Sequence, residues 1–184
     1  MITKHLYKVL AISIILLANY AASAQIPYDS VKKLIIYTGV EKVDGLTKDQ
    51  LYDRGIEVLR TIYPNMDSKI FVKDKVKGEF VLKEFVKFKY LDPKKKTPIV
   101  DPNLIKYKFT LLYKDGRYKY DVSDFYIDKG YKYGMEKYYL KEKETLKDRP
   151  EEKLQFMDNE IRDIITRFNE GMKTGIVPEK KEEW

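Results

Sequence analysis

Residues 104–128, "LIKYKFTLLYKDGRYKYDVSDFYID", alternate apolar or aromatic side chains with charged ones on both sides of an Asp115-Gly116 pair. Period-two alternation broken by Asp-Gly reads as a β-hairpin with a two-residue turn of type I′, both turn residues taking positive φ. Counting outward from Lys114 opposite Arg117 sets Tyr113 against Tyr118, Leu111 against Tyr120 and Phe109 against Val122, all on one face. The other face pairs Leu112 with Lys119, Thr110 with Asp121 and Lys108 with Ser123. One side is aromatic and the other wet, as in an antiparallel sheet covered on a single side. The alternation then breaks at "SDF". Continued unchanged, it would bury Asp124 opposite Tyr107 and expose Phe125, so the pattern predicts a β-bulge at Ser123 and Asp124 that returns Phe125 to the core.

Upstream, "VKKLIIYTGVEKVDG" predicts a first strand over 34–43. "TKDQLYDRGIEVLRTIYPN" predicts a helix, with Thr47 and Gln50 at capping-box spacing and Leu51, Gly55, Val58, Leu59 and Ile62 on one face, stopped by Pro64. Glycine in mid-helix costs about 1 kcal/mol against alanine, and close packing against a neighbour is the reading preferred for Gly55. "SKIFVKDKVKGEFVLKEFVKFKYLD" predicts two antiparallel strands about a turn at Lys77-Gly78, with their register open. "DPKKKTPIVDPN" reads as a solvated loop. "KGYKYGMEKYYLKEKETLKD" reads as an ordered excursion or short extra strand. "RPEEKLQFMDNEIRDIITRFNEGMKTG" predicts a closing helix with an apolar stripe from Leu154 to Met172, ended by Gly175.

The N-terminus sets Lys4 and Lys8 before an apolar run, Val9 to Leu17, and a small-residue site ending at Ala24. This is the layout of a cleaved signal peptide over 1–24. A single domain over 25–175 and a loose tail over 176–184 are expected to follow, giving a protein exported to the periplasm or cell exterior. Loss of Lys4 and Lys8 lowers the formal charge from +7 to +5, and loss of His5 removes the only histidine; the chain has no cysteine. Thiol catalysis, Ser-His-Asp triads, disulfides and ordinary zinc sites are thereby excluded. No catalytic residue, metal site or cofactor is predicted.

The order strand, helix, four strands, helix gives an α+β fold, β-α-β-β-β-β-α, with a curved antiparallel sheet and both helices on its aromatic face. "VDGLTKDQLYDRG", "KDGRYKYDVSDF" and the closing helix resemble a family of exported bacterial proteins, a domain of unknown function with a TBP-like fold. The resemblance runs over 34–172. It implies that same fold and no activity, and the sequence departs from it after Gly78, where more glycine is expected than in "EFVLKEFVKF".

Four functional readings remain. A non-enzymatic binding or structural module would use the open sheet face, or the tyrosines Tyr131, Tyr133, Tyr138 and Tyr139, to meet an envelope protein. A lipophilic carrier would hold a small molecule between Tyr107, Phe109, Tyr118 and Tyr120, with Asp124, and the closing helix. A glycoside hydrolase would need Glu79 with Glu84, or Asp121 with Asp124, to converge. Lys106, Lys108, Arg117 and Lys119 share a face that nucleic acid would favour, but acids are interleaved with them and saddle-type apolar wedges are missing, so no nucleic acid is expected.

Overall fold

A computed structural model describes residues 25–92 and 94–180. The predicted signal peptide therefore lies outside the described residues, as does the end of the chain after Lys180. A small ribbon of β1 (Tyr28–Asp29) and β2 (Leu34–Ile35) leads into β3 (Tyr37–Lys42) and helix α1 (Lys48–Ile62). Then come β4 (Ile70–Asp74), β5 (Glu79–Val86), β8 (Ile105–Lys114) and β9 (Arg117–Asp128), with a second ribbon of β6 (Lys89–Leu91) and β7 (Pro98–Val100) between β5 and β8. The chain closes with β10 (Lys132–Gly134), the single turn α2 (Glu136–Tyr139) and helix α3 (Pro150–Thr174). The main sheet is antiparallel in the order β10-β9-β8-β5-β4, and β3 shares the outer edge of β9 with β10.

The β8–β9 register is the one read from the alternation, from Lys114 opposite Arg117 through Lys108 opposite Ser123. Beyond it the pairing jumps to Lys106 opposite Tyr126, so Asp124 and Phe125 together face Tyr107. This is the predicted bulge. Asp124 takes φ 61°, the left-handed conformation of one bulge type, and Phe125 is buried. The turn differs from expectation, because only Gly116 has a positive φ, which is not type I′. The reason is tertiary. Asp115 Oδ1 accepts from the Lys48 N–H at 2.6 Å, at the start of α1, and the Gly116 N–H donates to the Leu46 carbonyl. Free N–H groups and a positive dipole make that helix end a favourable seat for a carboxylate.

Helix α1 starts on the expected capping box: Gln50 N–H donates to Thr47 Oγ1, and Gln50 Oε1 accepts from the Thr47 N–H. Both long helices cover the aromatic face. Tyr52 of α1 meets Phe80 and Tyr113 edge-on, and Phe168 of α3 meets Phe109 and Tyr118 at 5.4 and 5.5 Å between ring centroids. Glycines let α1 settle on the sheet and α3 settle on α1. A Cβ on Gly55 would lie 2.0 Å from Tyr113 Oη, and one on Gly171 would lie 2.9 Å from Val58.

Residues 98–100, read as part of a loop, form a strand, and Arg149 lies over the Tyr90 ring of that ribbon. Asp101 follows the ribbon and binds Lys153 of α3 at 3.0 Å. Lys153 is only 1 % exposed and also binds Asp148 at 2.6 Å. Asp148 in turn accepts from Lys129 Nζ and the Tyr138 hydroxyl. A buried ammonium is tolerated only when paired in this way. The segment after Gly175, expected to be loose, is tied back as far as Lys180: Arg167 Nε donates to the Pro178 carbonyl, and Lys180 binds Glu160.

Two outcomes follow from this packing. Gly55→Ala should lose about 1–3 kcal/mol in urea unfolding, the range for overpacking. Tyr113→Phe should recover part of that loss and cost little alone, since its buried hydroxyl has no partner among the described residues. At Asp148, burial acts to raise the carboxyl, but hydrogen bonds from Lys129, Lys153 and Tyr138 outweigh it and hold the pKa at about 2, below the ordinary 3.8. Its contribution is therefore complete above pH 3.8 and is lost as pH falls toward 2. In thermal unfolding, the difference between wild type and Asp148→Asn should be largest near neutral pH and shrink through that window.

Candidate functional site

The inner aromatic wall is filled. Tyr107, Phe109 and Tyr118 are buried, with Phe168 packed against the last two. Tyr107 shares a 2.9 Å hydroxyl hydrogen bond with Tyr63, and Tyr118 donates to Asn169 Oδ1 at 2.8 Å. Burial pushes both phenols up, so they stay neutral at any ordinary pH. Tyr120 is half-buried, its ring lying over Gly39. Asp124 does not join this wall: the bulge turns its carboxylate to the opposite face, where it pairs with Lys132. The five residues expected to line one lipophilic site thus lie on two sides of the sheet.

The tyrosine excursion is also divided. Tyr133 and Tyr138 are buried, a correction to their expected surface role, because the Lys129, Asp148 and Lys153 cluster draws the Tyr138 hydroxyl inward and Tyr133 packs edge-on against Tyr138. Tyr139 is half-buried and stacks on Tyr28 at 4.7 Å. Tyr131 alone stands out, 62 % exposed.

Glu79 and Glu84 do not converge. Glu79 pairs with Leu112 on the outer face, whereas Glu84 pairs with Tyr107 on the inner one, where it is 5 % exposed and held by Lys69 at 2.8 Å. Asp121 is bound by Lys119 and by the Thr38 hydroxyl.

The outer face carries what the sequence did not make visible. A groove of about 560 Å³ is lined by Lys69, Lys83, Lys106, Lys108 and Lys132, by Phe71, Phe85 and Tyr126, and by Glu84 and Asp124. Bulges frame it on both sides. One is at Asp124; the other is on β4, where Ile70 faces Leu82 and Val72 faces Val81, leaving Phe71 as the extra residue, 63 % exposed. Lysines lie over the rings, Lys83 at 3.7 Å from the Phe71 centroid, Lys69 at 4.7 Å from Phe85 and Lys132 at 4.8 Å from Tyr126. Such contacts position a cation without neutralising it.

Three of the five lysines have acids: Lys69 with Glu84, Lys132 with Asp124, and Lys106 with Asp128 at 2.8 Å. The last hydrogen bond raises the lysine and lowers the aspartate. Lys83 and Lys108 make no ion pair among the described residues, and they stand directly opposite each other across β5 and β8, with Ser123 next in the row on β9. Like charges facing across a ladder are destabilising. The alternation of "EFVLKEF" already put Lys83 and Phe85 on one face. Their meeting with Lys108 needed the β5–β8 register, which the sequence left open.

No curated protein matches the sequence. Solved structures do, among them a TBP-like protein from Parabacteroides distasonis, 18% identical, covering 79% of this chain and 97% of its own with a TM-score of 0.56, and a DUF4468 family protein from Bacteroides ovatus, 19% identical, covering 80% and 93% with a TM-score of 0.53. At those identities the likeness is one of fold. Residues 37–128, the stretch from β3 through β9, match the domain of unknown function (DUF4468) with TBP-like fold, and the chain belongs to that family.

Proposed function

We propose that this protein is an exported, non-catalytic binding module that holds an anionic partner on the open face of its sheet. One observation carries the reading: Lys83 and Lys108 face each other with no acid between them, in a groove that three further lysines enter. A purely structural surface would gain by replacing either one with a neutral or acidic residue. The presence of both fits a surface whose counter-charge comes from a ligand. The groove is concave and its lysines are set among rings, an arrangement that raises local anion concentration by focusing the field. The signal-peptide layout of residues 1–24 supports export.

The open face should bind dextran sulfate, with affinity falling as salt is raised. Titration calorimetry on Lys83→Gln/Lys108→Gln should show a loss of roughly tenfold, equivalent to about 1.4 kcal/mol. The loop variant Lys94→Gln/Lys95→Gln serves as a charge-matched control and should change little. Equal losses in both would mean diffuse charge attraction and sink the reading. Mass spectrometry of the exported fraction should find a chain starting at Gln25; an intact N-terminus in the cytoplasm would remove the export part.

A further inference from the structure

Resting on that reading, we infer that the groove is a subsite for an acidic saccharide, its oxyanion taken by Lys83 and Lys108 and its ring seated against Phe85 and Tyr126. The row Lys83, Lys108, Ser123 crosses three adjacent strands on one face. It offers two ammonium groups and one hydroxyl to a single anion, and strands hold such a row more rigidly than loops would. A carboxylate or sulfate placed between the two lysines would turn their mutual repulsion into two attractions.

The remaining lining argues for what carries the anion. Phe85 and Tyr126 are half-buried, so each leaves part of its ring at the groove, and Phe71 at the β4 bulge rises on the far side. A free inorganic ion would use none of these rings. A planar membrane would not reach the floor of a concave groove flanked by two bulged strands. A saccharide ring has apolar C–H faces for aromatic contact and hydroxyls for the polar rim, and an acidic one adds the charge that the lysines need. The polar rim is present: Ser68 and Asp124 line the same groove, and their oxygens can accept from sugar hydroxyls. The other lysines are already held by Glu84, Asp124 and Asp128. The free positive charge is thus confined to Lys83 and Lys108, which suits one oxyanion per sugar unit.

The test uses the full chain without its first 24 residues and follows NMR shifts and calorimetry with four probes: oligogalacturonate, its methyl ester, inorganic phosphate and dextran sulfate. Oligogalacturonate should shift the amides around Lys83, Lys108 and Ser123, and the uncharged methyl ester should bind at least tenfold more weakly. Lys83→Gln and Lys108→Gln should each weaken binding severalfold while thermal stability holds or rises. Phe85→Leu should weaken oligogalacturonate and leave any binding of inorganic phosphate unchanged, which separates ring contact from charge. If dextran sulfate binds and is lost with the lysine variants while oligogalacturonate does not bind, the acidic-sugar inference is limited to sulfated saccharides when Phe85→Leu weakens dextran sulfate. The inference is wrong when Phe85→Leu has no effect on it, although the anionic reading then stands. Binding of inorganic phosphate as tightly as either polymer overturns the saccharide part, and no binding of any probe removes both readings.

Discussion

Burial of one face of the β8–β9 hairpin is the constraint on which the other contacts depend. Because side chains alternate with period two, a slip of one residue would carry Phe109, Leu111 and Tyr113 into solvent and bring lysines under the helices. Each large apolar side chain so exposed forfeits about 1.5–3 kcal/mol, and the buried face of these two strands holds many of them. The register is therefore held along its whole length, and neighbours take their places from it. Strand β5 reads its inner face, Phe80, Leu82 and Val86, against Leu111, Phe109 and Ile105. Helix α1 can approach only where Gly55 clears the Tyr113 hydroxyl, and α3 lands its Phe168 between Phe109 and Tyr118.

The same constraint explains why the sheet is interrupted. Aspartate and phenylalanine are adjacent at 124 and 125, and strict alternation would bury the wrong one. The bulge resolves the conflict by giving Asp124 a left-handed backbone and resetting the phase, so that Phe125 and Ile127 both face the core. A second bulge at Phe71 lies on the edge strand. Bulges strengthen twist and re-aim side chains. Here the pair encloses the lysine groove, so an adjustment required by core packing also shapes the outer surface.

A second mode of cohesion operates at the other end of the molecule. The β6–β7 ribbon has little core of its own, and a charged cluster anchors it instead. Lys153 on α3 bridges Asp101 after the ribbon and Asp148 before the helix, and Tyr138 and Lys129 complete the set. Removing one member would strand a buried charge, which is costlier than never having built the pair. Tyr133 and Tyr138 are buried as a consequence.

Much of the fold was legible because it rests on local chemistry. Alternation specified the hairpin faces and pairing, its interruption located the bulge, Thr47 with Gln50 marked where α1 begins, and the lone mid-helix glycine pointed to a close contact. The misreadings share a different cause. The turn at Asp115 was assigned from its own two residues, but the start of α1 takes that carboxylate and alters the backbone. The tyrosines at 133 and 138 look exposed among lysines until Asp148 is brought beside them. The candidate site was the least legible part. Lys108 stood out only as one of a row of basic residues and Lys83 not at all, and only pairing of β5 with β8 makes them opposed and unneutralised. The sequence by itself determined which side chains share a face, since a strand's pleat is a local property. Tertiary structure alone decided which faces meet and which charges are left without partners, since both depend on register between strands far apart in the chain.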